Sequence, residues 1–416
     1  MEPPLHPRQR LSRLLKGIAD SSVQRAEVRC QCFHDDQAFE LAGSLRKTES
    51  LRHLDLTACC ISDAGIIQVF QSVPRCLETF TLSCTRLPPS AMAALATVLH
   101  TPSCLLELHL GDCQLGNAGL EAMASGFLNV TVTTTDVGWS SLKTLTLSKN
   151  LICSSHQACQ TFGTALRRLP HLEFLDLSRN RLESRDLEAL QLHNIVSLRK
   201  IALWDNRLDP SSGFCLRDIL LHCRSLQELN LRNNVLGDVG VLDAFSSLDE
   251  EEYVEYPLRL LYLSSNRLSD PAAVCLARQL VVSFPCLSSL YLSSNDVGNA
   301  GAIAFSNSLS RNSVAFKTLD LYRNKIGNRG GEALAHTLLH ENTHLTDLNV
   351  TYNRITNVAV LKAVRFAGKL NRSGRYLLQQ HDAIPSSLWP LVFEKMNLLI
   401  DVRYYFVLRL PELFMR

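Results

Sequence analysis

Apolar and polar residues follow one another along this chain in a spacing that returns many times over. The frame is Leu-x-x-Leu-x-Leu-x-x-Asn-x-Leu, clearest at Leu172, Leu175, Leu177, Asn180 and Leu182. It returns at Leu226, Leu229, Leu231, Asn234 and Leu236, and again at Leu258, Leu261, Leu263, Asn266 and Leu268. Further copies start at Leu51, Leu77, Leu105, Leu142, Leu198, Leu287, Phe316 and Leu345. That makes about eleven units, and a degenerate one opens the array at Val23, Ala26 and Val28. A period of this length marks stacked units that each add a slice of core. Within a unit the Leu-x-Leu alternation predicts a short strand with its leucines turned inward. Successive starts lie 26 to 32 residues apart, with one gap of 37, so each unit has room for a helical return. The stretches 116–124, 298–309 and 327–338 carry the matching helical spacing of apolar residues.

The asparagine of the frame falls where the chain leaves the strand and its backbone groups lose their sheet partners. A side-chain amide both donates and accepts, so Asn150, Asn180, Asn206, Asn234, Asn266, Asn295, Asn324 and Asn353 are expected to form a buried ladder. The early units depart from it, with Cys59, Thr85 and Cys113 at that position.

The frame with its following Gly-x-x-Gly resembles the ribonuclease-inhibitor-like subfamily of leucine-rich repeats, over roughly residues 21–370. The resemblance implies an α/β fold: a right-handed, curved solenoid (a horseshoe) with a parallel β-sheet on the concave face and α-helices on the convex face. The expected organisation is an N-terminal cap with the degenerate repeat over 1–50, repeats over 51–370, and a helical cap or docking tail over 371–416. Insertions near 127–140 and 247–257 read as surface loops, the second acidic with Tyr253 and Tyr256.

Composition narrows the function. The 416 residues are 46% hydrophobic, ample for a long core, and the formal charge is only +2. So even a balance gives no electrostatic case for nucleic acid or an anionic membrane as partner. The first residues lack the apolar stretch of a signal peptide, and no run is long enough for a membrane helix. With fourteen cysteines and no export signal, a reducing compartment is expected, the cytoplasm with the nucleus open. Cys30, Cys32 and His34 alternate near the first strand but lack a CxxC pair, so they read as packing or surface and no metal is expected. His109, His156 and His336 are scattered, and Asp55, Asp176 and Asp320 lie several repeats apart. No nucleotide-binding, metalloprotease or nucleophile-elbow motif is present, so neither catalysis nor a cofactor is expected.

Residues interleaved with the strand leucines face outward on the sheet. Early units place small polar residues there, such as Thr81, Thr146 and Ser148. From the sixth unit the face turns aromatic. The predicted partner-binding set is Trp204, Asn230, Arg232, Tyr262, Tyr291, Asp320, Tyr322, Arg323 and Tyr352. Trp, Tyr and Arg are the residues that dominate protein interfaces. The reading is a non-catalytic scaffold or regulator that binds a protein partner. One alternative is a Ran-type GTPase-activating protein, which shares the repeat subfamily but typically carries an acidic stretch where this chain has a hydrophobic tail with Trp389. Another is the substrate-recognition subunit of a ubiquitin ligase, since residues 384–392 are similar to the opening of an F-box.

Overall fold

The computed structural model describes residues 7–29, 34–98, 103–128, 141–152, 155–246, 248, 256–311, 316–342 and 344–364. The insertion at 129–140, Cys30 and Cys32, most of the acidic loop and the whole tail 371–416 lie outside the described residues. The chain divides into two compact units, Met1–Asn234 and Val235–Arg416.

In the first unit eight three-residue strands lie side by side, all parallel and in chain order. They are β1 Arg25–Glu27, β2 His53–Asp55, β3 Thr79–Thr81 and β4 Glu107–His109. Then come β5 Thr144–Thr146, β6 Phe174–Asp176, β7 Lys200–Ala202 and β8 Glu228–Asn230. The second unit holds β9 Leu260–Tyr262, β10 Ser289–Tyr291, β11 Thr318–Asp320 and β12 Asp347–Asn349, also parallel and in order. Every central strand residue but Leu348 is buried, and the register pairs like with like: Leu175 with Leu145, Leu290 with Leu261. The degenerate first repeat forms β1, with Ala26 and Val28 buried. Ahead of it the helix Pro7–Ala19 buries Leu11, Leu15 and Ile18.

Helices return the chain between strands and cover the leucine side of the sheet. The predicted returns appear as Gly116–Leu128, Asn299–Leu309 and Asn328–His340. Asn299–Leu309 buries Gly301, Ala302, Phe305 and Leu309, one face of a helix. In the second unit a polar ladder ties each helix to the next. Asp270 Oδ1 accepts the N–H groups of Gly298 (2.7 Å) and Gly301 (2.9 Å), at the start of the following helix. Asn299 does the same for Gly327 and Gly330, and Asn328 for Thr356 and Asn357, all at 2.9 Å. These are donors that a helix N-terminus leaves unsatisfied. The close approach explains the Gly-x-x-Gly spacing: a Cβ on Gly301 would sit 2.6 Å from that of Ala273, and one on Gly330 would sit 2.9 Å from that of Ala302.

The asparagine ladder forms as the frame predicts, except that its last rung, Asn353, is only half-buried. In the first unit Asn180 Oδ1 accepts the N–H of Asn150 at 2.7 Å, while its Nδ2 donates to the carbonyls of Leu147 (2.7 Å) and Leu177 (3.1 Å). In the second unit Asn295 serves Asn266 and Leu268 as acceptor, and the carbonyls of Leu263 and Leu292 as donor. The early substitutes keep the donor half. Cys113 Sγ donates to Leu82 O at 3.0 Å, Cys59 Sγ to Val28 O at 3.2 Å, and Thr85 Oγ1 to Cys59 O at 2.9 Å.

One part of the acidic insertion is not a surface loop. Tyr256, expected in a solvated stretch, is 2% exposed. Its ring centroid lies 5.6 Å from that of Phe284, which in turn lies 6.0 Å from that of Phe245. The insertion is pinned into the core at its C-terminal end because an aromatic ring there completes that cluster.

Candidate protein-binding surface

Where a strand reads x-Leu-x, the leucine goes under the sheet and its neighbours stay on the open face. None of the nine predicted binding residues is buried. Trp204, Asn230, Tyr262, Tyr291, Asp320 and Tyr322 are half-buried, and Arg232, Arg323 and Tyr352 are exposed, Tyr352 at 77%. Ala202, Ser178 and Ser264, at neighbouring positions beside the strand leucines, are buried, because side chains this small are covered by their neighbours.

On the second unit, Tyr262 and Tyr291 are register partners in β9 and β10 and stack with centroids 4.6 Å apart. That distance matches the spacing of neighbouring strands, about 4.7–4.9 Å. Register then continues to Asp320 and Asn349. Just beyond the strands, Tyr322 and Tyr352 meet edge to face at 5.1 Å. Arg323 and Tyr352 occupy equivalent positions in adjacent repeats, and both adopt left-handed backbone, φ 53° and 57°.

The left-handed position recurs in every described repeat after the first. It falls on Ala58, Cys84, Asp112, Lys149, Arg179, Asp205 and Asn233 in the first unit, and on Ser265, Ser294, Arg323 and Tyr352 in the second. Such a conformation costs a non-glycine residue about 1–2 kcal/mol. A hydrogen bond to the next repeat offsets it, as from Arg323 N to Thr351 O at 2.9 Å. The turn throws the side chain out to the edge of the sheet face. No residue type marks the position, so the sequence carries no signal for it.

Two of the predicted contact residues also have a local task. Asp320 Oδ1 accepts the N–H of Tyr322 at 3.0 Å, and Asn230 Oδ1 that of Arg232 at 3.1 Å. Asp55 and Asp176 hold Thr57 and Ser178 in the same way, each turn carrying the chain off its strand.

Ion pairs line the first unit's face. Arg29 reaches Asp55 at 2.6 Å, and Lys149 reaches Asp112 at 2.5 Å. Burial alone raises the Asp55 carboxyl, but donors on Thr57 and Arg29 outweigh it and hold the group below its usual value. Arg179 pairs with Asp205 at 3.4 Å and also lies 5.7 Å from the centre of the Trp204 ring. Trp204 thus stands on this face under a cation. The described residues hold no cluster of three or more His, Cys, Asp or Glu able to bind a metal, and no helix long and apolar enough to cross a membrane. His336, read as scattered, has the His340 ring 4.8 Å away on the same exposed helix face.

The Leucine Rich repeat family pattern matches residues 49–69, 101–124, 168–190, 222–243, 285–306, 316–335 and 341–362. The Ribonuclease inhibitor of Sus scrofa is 30% identical over 243 residues, 56% of this chain and 51% of that protein. The chain is a leucine-rich-repeat protein, similar over more than half its length to the ribonuclease inhibitor. Another relative of this repeat protein is the NACHT, LRR and PYD domains-containing protein 12 of Mus musculus, 30% identical over 57% of this chain and 21% of its own length. The repeat protein therefore spans about half the length of the inhibitor and about a fifth of the NACHT protein. Among solved structures an internalin from Listeria monocytogenes is 14% identical, covering 84% of the repeat protein and 86% of its own chain at a TM-score of 0.38, too distant to inform the site.

Proposed function

We propose that this leucine-rich-repeat protein is a non-catalytic scaffold or regulator that binds a protein partner on the open face of its sheet. The observation that carries the reading is the second unit's aromatic set: Tyr262 stacked on Tyr291, and Tyr322 against Tyr352, at strand and turn positions that the described residues leave half-buried or exposed. Large aromatic rings on an open sheet offer contact area with little side-chain entropy left to lose, which is what binding hot spots need. On the first unit's face Trp204, Asn230 and Arg232 make a second contact region. The relative named as an inhibitor of ribonuclease acts on another protein, as this reading requires. Residues 1–50 serve as the N-terminal cap, and the chain works in the cytoplasm.

The test is a pull-down from cell extract. It compares the intact chain with Trp204→Ala/Tyr262→Ala/Tyr291→Ala and with a chain ending at Leu370. Partners lost in the triple variant, with its circular dichroism and melting unchanged, support the sheet face. Partners kept by that variant and lost on truncation place the function in the tail and overturn the reading.

A further inference from the structure

We infer that the second unit's sheet face takes an acidic segment of its partner, with carboxylates flanking an apolar stretch; this rests on the reading of that face as a protein-binding surface. The ground is a set of cations on this face that no carboxylate among the described residues meets. On the first unit Arg29, Arg52, Lys149, Arg179, Arg199 and Lys200 each meet a carboxylate of a neighbouring repeat, at 2.5 to 3.7 Å. On the second unit Arg259, Lys317 and Arg323 are all exposed, and none meets a carboxylate among the described residues. Two acidic side chains among the described residues of this face are already engaged by donors. Asp320 Oδ1 holds the N–H of Tyr322, and Asp347 Oδ2 accepts from Thr346 Oγ1 at 3.1 Å. Among the described residues, the face therefore offers cationic donors that its own carboxylates do not claim.

Their placement adds a shape to the chemistry. Arg259 and Lys317 hold equivalent positions just ahead of β9 and β11, at one end of the strands. Arg323 stands at the other end, on its left-handed turn beside Tyr352, and Tyr262, Tyr291 and Tyr322 lie between. Lys317 and Arg323 are six residues apart, roughly 20 Å of extended chain. A segment crossing this face would meet cations at both ends and rings in the middle. Tyrosine burial then supplies most of the affinity, and the charges supply selectivity and rate of encounter.

The experiment is selection of displayed random peptides on three forms of the full chain: wild type, Tyr262→Ala/Tyr291→Ala/Tyr322→Ala, and Arg259→Glu/Lys317→Glu/Arg323→Glu. Each form is first shown to keep its circular dichroism spectrum and melting temperature. Wild type is expected to enrich peptides with Asp or Glu flanking aromatic or aliphatic residues. The tyrosine variant should lose that enrichment, and the charge-reversed variant should recover the same peptides about tenfold less well. Tyrosine-dependent enrichment of basic or uncharged peptides overturns the acidic segment and leaves the sheet-face reading standing. Enrichment that ignores the tyrosines, or none above a blank surface, overturns both.

Discussion

Tyr262 and Tyr291 stack with their planes within 3° of parallel and their centroids 4.6 Å apart. Parallel strands in register give both residues the same backbone setting, so equal rotamers lay the two rings flat against each other. A stacked pair is worth about 0.5–1.5 kcal/mol beyond area burial. A double-mutant cycle of Tyr262→Ala and Tyr291→Ala in urea unfolding should return a coupling in that range. A coupling of zero would mean that the rings do not rest on each other in solution.

Asn180 tests the ladder. Its Oδ1 accepts from Asn150 N and, at 3.3 Å, from Ile152 N, while Nδ2 serves two leucine carbonyls. Asn180→Ala strands all of these in the core and should cost at least about 1–3 kcal/mol. Asn180→Cys should cost less than the alanine, because a thiol there keeps the donor half, as Cys113 does toward Leu82. Equal losses for the two variants, by chemical denaturation, would show that the donor half contributes nothing.

Much of this was legible in the chain. Every leucine of the frame that alternates toward the core, Leu348 apart, is buried because a strand residue has only two faces to choose between, and the asparagines follow from the same geometry. The turn-capping carboxylates were also within reach: Asp55 with Thr57 and Asp176 with Ser178 repeat an acceptor two residues ahead of a donor. The charge pairing was not. Arg29 and Asp55, or Lys149 and Asp112, come from different repeats separated by unequal spacings, and nothing local marks them as partners. Nor was the left-handed turn that aims Arg323 and Tyr352 outward, since residues as unlike as alanine, lysine and tyrosine all occupy it. Tyr256 was misread because the acidic run beside it gave a solvated stretch its character, while the ring belongs to Phe284.

That ring gives a direct check on the insertion. Tyr256→Ala removes a buried aromatic side chain from contact with Phe284. Large-to-small changes of this kind cost about 3–5 kcal/mol. Tyr352, 77% exposed, provides the control in its own alanine variant. A melting temperature for Tyr256→Ala equal to wild type would remove this residue from the core.

The buried thiols predict an alkaline limit. Burial pushes Cys223 from 9.0 up to about 12, and the side chain is 1% exposed. In the unfolded chain the thiol ionises near pH 9 while the folded protein keeps its proton up to about pH 12. Through that window the unfolded state binds fewer protons, so stability falls as pH rises; below pH 9 the group contributes no pH dependence. Tyrosines and lysines ionise in the same range, but they do so equally in a Cys223→Ala variant. The difference between the two stability curves therefore isolates the thiol: Cys223→Ala should lose stability less steeply from pH 9 to 12, even if it starts lower for want of the sulfur's packing. Alkylation gives the second reading. At pH 8 iodoacetamide should label the exposed Cys104 and Cys286 and spare Cys223 until the chain is unfolded. Parallel stability curves together with early labelling of Cys223 would show that this thiol is open to solvent.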